Sequence, residues 1–228
     1  LARAIHDALA NQDKLEVWSI PDGTRLFEQT VPPGIVAIAL SCGGEMLAYS
    51  TEHEGSSSIV ALATMGTPPE RRVATSAPLR TLAFSSGGGR LIASSNGMSV
   101  PGQPPSESVV VMDARSGVVL CSLSSPVPVV GSTLDATGRS FALARNDGTV
   151  QAYGVDSCAA TTLYQHGTEA HQASLAFSDD GHWLFGVFGS TRPSDPPLWR
   201  WRRDPGRVVG AVSERLEKLR QLGWSAVQ

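Results

Sequence analysis

The chain has 228 residues, 41% of them apolar and 17% charged, and a formal net charge of −3. A weakly acidic balance of this kind sets up no general field for nucleic acid or an anionic membrane surface. The longest uncharged stretches are broken by Ser, Gly and Pro, which argues against a helical membrane span, while 23 Gly and 15 Pro favour a turn-rich β protein over a helical one.

In chain order, residues 4–10 read as a strand, and residues 15–20 as a second one with Leu15 and Val17 alternating against Glu16 and Trp18. Pro21-Asp22-Gly23-Thr24 is turn chemistry, because Pro fixes φ and Gly accepts a positive φ. Residues 25–31 then pair back as a third strand.

From residue 35 the chain repeats itself. Four segments open a turn at Ser41, Ser85, Asp135 and Ser178. Three residues on stands Gly44, Gly88, Gly138 or Gly181, and six residues on stands Leu47, Leu91, Phe141 or Leu184. One residue before the turn stands Leu40, Phe84, Leu134 or Phe177. A second template runs a strand with a bulky residue into a glycine five positions later: Trp18 to Gly23, Met112 to Gly117, Trp201 to Gly206. Tyr153 to Cys158 fills the same slot without the glycine. Two templates in phase define a unit of four short strands, a to d, and a self-similar unit of this length is the signature of a propeller blade. The units fall at about 1–33 (partial, without a first strand), 35–76, 79–124, 128–165 and 171–212. Asn146-Asp147-Gly148 marks the tightest hairpin of the set. Residues 213–223 read as a helix capped by Ser213 and stopped by Gly223, with Leu216, Leu219 and Leu222 on one side.

Both templates resemble WD40-type repeats, in which an apolar-Ser-Pro-Asp-Gly turn joins strands a and b and Trp-Asp ends strand c. Phe177-Ser178-Asp179-Asp180-Gly181 is similar to the first motif, and Trp18 and Trp201 stand at the Trp position. The Asp that follows the family's Trp survives as Asp113, after Met112, and His171 alone lies near the family's His. The resemblance implies a β-propeller of four-stranded antiparallel blades, with four full blades and a partial N-terminal one. Such a set either belongs to a larger ring, or is completed by a partner chain, or closes with five irregular blades. It also implies a non-catalytic scaffold or sensor module that holds protein partners.

The candidate chemistry is sparse. His6, His53, His166, His171 and His182 show no metal-ligand spacing. No GxSxG or phosphate-cradling loop occurs, and Gly87-Gly88-Gly89 belongs to the a–b turn. No catalytic, cofactor or metal residue is therefore expected. The alternative of a hydrolase or lyase with a central-channel site would need ionisable residues where Ile38, Leu82 and Leu175 stand. Trp199-Arg200-Trp201-Arg202-Arg203 is the one cationic-aromatic run, with both tryptophans on one strand face and Arg200 and Arg202 on the other. Such a run can stack on single-stranded nucleic acid or a phosphorylated ligand, or it can pack its rings between blades. The b–c connections at 52–57, 96–107 and 189–197 should gather on one face of the disc and form a docking surface. The expected partner-binding residues are Asn96, Met98, Val100, Gln103, Glu107, Arg192 and Asp195, with Trp199, Arg200 and Arg202. Cys42, Cys121 and Cys158, odd in number and widely spaced, support no disulfide framework. They point to free thiols in a reducing cytoplasm. The chain opens on Leu and carries no basic-then-apolar leader, which fits a start inside a longer protein and equally a signal peptide already removed.

Overall fold

A computed structural model describes residues 1–7, 11–53, 57–64, 67–75, 79–95, 107–165, 172–189 and 198–202. These form five antiparallel sheets, each a simple up-and-down meander of consecutive strands. The first sheet contains β1 (Ala2–Asp7), β2 (Gln12–Trp18) and β3 (Arg25–Val31). The second contains β4 (Ile35–Leu40), β5 (Met46–His53), β6 (Ser57–Thr64) and β7 (Thr67–Ala74). The third contains β8 (Thr81–Phe84), β9 (Arg90–Ser94), β10 (Glu107–Asp113) and β11 (Val119–Ser124). The fourth contains β12 (Val129–Leu134), β13 (Ser140–Arg145), β14 (Thr149–Gly154) and β15 (Ala160–Gln165). The fifth contains β16 (Gln172–Phe177), β17 (Trp183–Gly189) and β18 (Leu198–Arg202). The last strand expected of the 171–212 unit and the expected helix at 213–223 lie outside the described residues.

The repeated turn explains why the strands fall where they do. The residue that opens it donates its backbone N–H to the carbonyl five positions on: Ser41 to Met46, Ser85 to Arg90, Asp135 to Ser140 and Ser178 to Trp183, at 2.9–3.0 Å. The glycine N–H three positions on returns to the opening residue's carbonyl in all four copies. That closure needs a left-handed residue, and Gly44, Gly88, Gly138 and Gly181 take φ of +68° to +70°. The opening side chain satisfies one more amide: Ser41 Oγ accepts from Met46 N at 3.0 Å, and Ser178 Oγ from Trp183 N at 3.0 Å. In the fourth sheet Asp135 Oδ1 does this for Arg139 N at 3.0 Å. The apolar residue three beyond the glycine is then aimed into the core, and Leu47, Leu91, Phe141 and Leu184 are buried.

The sheets pack face to face in sequence order, with the opening strands β4, β8, β12 and β16 lying beside one another. The first sheet starts one strand late, so that β1 touches β4. Four apolar cores fill the four interfaces. Leu15, Val17 and Val31 meet Leu47 and Tyr49 between the first two sheets. Met46 and Ala48 meet Leu91, Ala93 and Val110 between the second and third. Ile92, Val109 and Val111 meet Phe141, Leu143 and Tyr153 next, and Ala142, Ala144 and Tyr164 meet Leu184, Phe188 and Trp201 last. At the last interface Gly131 of β12 lies so close to β16 that a Cβ there would stand 3.0 Å from Ala173's carbonyl carbon and its Cβ, and closer still to its carbonyl oxygen. The first interface carries a polar tie as well: the buried Asp13 accepts from Gly34 N at 2.9 Å and Ile35 N at 2.8 Å.

Two readings of the sequence are corrected. The stretch 52–57 is not an open loop, because Glu52 pairs with Ser58 and His53 with Ser57 in a continued hairpin. Nor are all three cysteines free: Cys121 on β11 and Cys158 in the β14–β15 turn are bonded, with Cα atoms 5.3 Å apart, and only Cys42 is free. The pairing follows from stacking the third and fourth sheets, which brings together residues 37 positions apart.

Candidate functional site

The sequence marked Trp199–Arg202 as the place where cation and aromatic chemistry meet, and β18 holds that run across from β17. Trp201 is fully buried. Its ring stacks on Trp199 (centroids 6.1 Å apart), meets Phe188 edge-on at 5.9 Å and lies 5.6 Å from Tyr164 of the fourth sheet. Tyr164 Oη donates to the Arg202 carbonyl at 2.9 Å, which fixes β18 against β15 from its backbone. Gly186 makes the room: a Cβ there would stand 2.7 Å from Phe188 and 2.8 Å from the Trp201 ring. On the opposite face of β18, the Arg200 guanidinium lies 4.3 Å from the Trp183 ring centroid. The tryptophans thus face the fourth sheet, and base stacking needs an open indole face that Trp201 does not have. Arg202 is exposed.

Of the other expected docking residues, Glu107 begins β10, paired with Ser124. Asn96, Met98, Val100, Gln103, Arg192 and Asp195 lie outside the described residues, as do His166, His171 and Arg203. Among the described residues no group of three His, Cys, Asp or Glu side chains is placed to hold a metal ion. The aspartates open to a catalytic reading are occupied in turns. Asp113 accepts from Ser116 N at 2.8 Å and Arg115 N at 3.1 Å and pairs with Arg90. The Ser116 amide, ahead of its hydroxyl and the Arg115 amide, holds the Asp113 carboxyl below its usual range. Asp180 is lowered in the same way, first by the Ser178 hydroxyl and then by the His182 amide. Asp147 accepts from Thr149 N at 2.9 Å in its own hairpin.

Two features went unread in the sequence. One is the face of the first sheet turned away from the second. There the Glu16 carboxylate, 5% exposed, pairs with Arg3 at 2.6 Å, accepts from Trp18 Nε1 at 2.9 Å and lies 3.7 Å from Arg25. Arg3 and then Trp18 draw its pKa below the ordinary value. Glu28 bridges Arg25 and Lys14 beside it, and a depression of about 330 Å³ opens next to Trp18, lined by Leu1, Arg3, Ser19, Ile20 and Gly23. The alternation of charge at Lys14, Glu16 and Trp18 against Leu15 and Val17 was the available signal.

The other feature is the far face of the fifth sheet. Seven and nine residues after each turn opening, strand alternation points two side chains toward the following sheet. In the first three copies these are Ala48 and Ser50, Ile92 and Ser94, and Ala142 and Ala144, each 0% exposed. In the last copy they are Phe185 and Val187, and Val187 is 47% exposed.

No family model matches the chain, and no curated protein matches it. Solved structures do. A chain from the crystal structure of the mitotic checkpoint complex is 16% identical with a TM-score of 0.64, over 91% of this chain and 60% of that one. The computationally designed Ika8 protein is 14% identical with a TM-score of 0.60, over 87% of this chain and 57% of that one. The chain spans about three-fifths of the length of these structures. At such identity the likeness concerns fold alone: an all-β protein of stacked antiparallel sheets. Among the described residues no helix is long and apolar enough to cross a membrane.

Proposed function

We propose that the chain is an arc of a WD40-like β-propeller and acts as a non-catalytic protein-interaction module, each sheet being one blade. The observation that carries this reading is the Phe185–Val187 face. Positions that the next sheet buries in three earlier copies hold, in the fourth, two larger apolar side chains with Val187 nearly half exposed. A Phe–Val pair left in water costs about 25 cal/mol for each Å² of apolar surface that a neighbour would otherwise cover, so this face favours a protein neighbour. Further support comes from the structural neighbour in a checkpoint complex, which is itself part of an assembly. The commitment of Asp113, Asp147 and Asp180 to turns leaves those carboxylates to structure rather than catalysis.

The neighbour suited to this face is another β-sheet with small side chains opposite Phe185. The last described interface already works this way, with Trp201 and Phe188 seated over Ala142 and Ala144. The connections 96–107 and 189–197 form the second part of the docking surface. In the test, the chain is used as bait in its native extract, beside Val187→Glu and a version with 96–107 replaced by a short Gly-Ser turn. Loss of the captured proteins with either variant, while each keeps its thermal transition, supports the reading. Capture unchanged by both overturns it.

A further inference from the structure

The c–d turn of the repeat, between β2 and β3, β10 and β11, and β14 and β15, recurs three times among the described residues with one hydrogen-bond pattern. Ser19 N donates to Thr24 O at 2.8 Å, Asp113 N to Val118 O at 2.9 Å, and Gly154 N to Ala159 O at 3.1 Å. The fifth residue of each turn is left-handed: Gly23 at φ +67°, Gly117 at +69°, and Cys158 at +52°. Two copies fill the slot with the residue that enters this region without steric cost, and the third fills it with a cysteine, whose Cβ makes that backbone unfavourable. A side chain kept where the repeat uses glycine needs a compensating contact. Cys158 has one, since its sulfur is bonded to Cys121, a buried residue on the outermost strand of the neighbouring sheet.

We infer that Cys121–Cys158 is a structural staple between the third and fourth sheets, formed in an oxidising compartment, and that Cys158 displaces glycine from its turn in order to make it. The inner strands of these two sheets already touch, β12 against β8 and β9. The staple ties the third sheet's outer strand β11 to the turn that leads into β15, the outer strand of the fourth. Its formation consumes one external disulfide, of a small thiol or a dithiol oxidoreductase. The two cysteine thiols give up two protons and two electrons, one S–S bond forms in the protein, and the external disulfide leaves as two thiols. Bonds of this kind persist outside reducing cytosol, so the staple replaces the expectation of a cytoplasmic protein with three free thiols. Cys42, exposed in the first a–b turn of the repeat, remains the free thiol.

The test has two arms. The protein that carries this chain, isolated from its native cells with acid quenching and alkylated in denaturant, should label at Cys42 and at neither Cys121 nor Cys158, and at all three cysteines after reduction. Labelling of all three before reduction overturns the proposal. In the second arm, melting temperatures of wild type, Cys158→Gly and Cys121→Ser are compared with and without dithiothreitol. Without reductant, wild type should be the most stable of the three. With reductant it should fall below Cys158→Gly, because glycine fits the turn and a reduced cysteine does not. Cys121→Ser should respond to reductant in neither direction and stay below Cys158→Gly, since it keeps the unfavourable turn and lacks the bond. A Cys158→Gly chain at least as stable as unreduced wild type overturns the staple. Neither arm depends on whether the Phe185–Val187 face binds a partner.

Discussion

Gly131 offers the sharpest test of how the sheets are stacked. A Cβ added there would stand 3.0 Å from the Ala173 Cβ, where two carbons prefer about 3.5–4.0 Å. Strand β16 would have to retreat by roughly 0.5–1 Å, a gap that forfeits about a quarter to a half of each dispersion well along the contact. The obstruction includes the Ala173 carbonyl, which is backbone and cannot rotate aside. Gly131→Ala should therefore cost about 1–3 kcal/mol, the usual range for overpacking. For a chain of 228 residues that lowers the melting temperature by about 2–12 °C. The control is Gly89→Ala, a site where an added Cβ meets nothing within 4 Å and which should be neutral or gain up to about 1 kcal/mol. Adding Ala173→Gly to Gly131→Ala should recover only part of the loss, because the carbonyl remains. Thermal melts followed by circular dichroism give all four values. If Gly131→Ala melts with Gly89→Ala, the fourth and fifth sheets do not meet through β12 and β16, and the stacking argument fails.

Two further expectations follow from the site. Trp201→Ala should cost about 3–5 kcal/mol in urea unfolding, as for a large aromatic removed from a core, whereas Arg200→Ala should cost about 0.5–1 kcal/mol, the worth of a partly exposed cation–π contact; comparable losses would mean that the run is not divided into a packed face and an outer one. Asp113, Asp180 and Glu16 have folded pKa values held below their unfolded ones, so their contribution is complete above about pH 5 and is lost as pH falls through the folded values. The melting temperature should be steady from pH 7 to 5 and drop below pH 4, less steeply in Asp113→Asn, and a flat profile down to pH 3 would refute the assignment.

Much of the fold could be read from the sequence because the a–b turn has few chemical solutions. A polar residue that caps its own turn, a glycine that must be left-handed and a large apolar residue three further on are separately common. Their recurrence at Ser41, Ser85, Asp135 and Ser178 is not. The strands that enter these turns accordingly end at the residues the repeat marks, Leu40, Phe84, Leu134 and Phe177. The far ends of the hairpins had no such marker, and the β5–β6 hairpin was opened three residues too wide for that reason, at Glu52, His53 and Ser57. The disulfide was hidden by another cause. Its partners belong to different sheets and no local spacing relates them, so only the missing glycine at Cys158 hinted that this turn was doing something else.

The uncovered face of the fifth sheet was hidden for a deeper reason. Alternation along a strand reports that a residue points away from one neighbour and toward another, but not whether the second neighbour is present. Phe185 and Val187 alternate with Leu184 and Gly186 just as Ile92 and Ser94 alternate with Leu91 and Ala93, so within any one strand the covered and uncovered faces read alike. The difference emerges only when one offset is followed through all the copies and its burial compared. In stacked sheets, then, the repeat specifies the interior several times over. What sets the molecule apart lies where the series is interrupted: the charged face behind β2, the cysteine in a glycine's place, and the apolar pair on β17 whose Val187 is nearly half exposed.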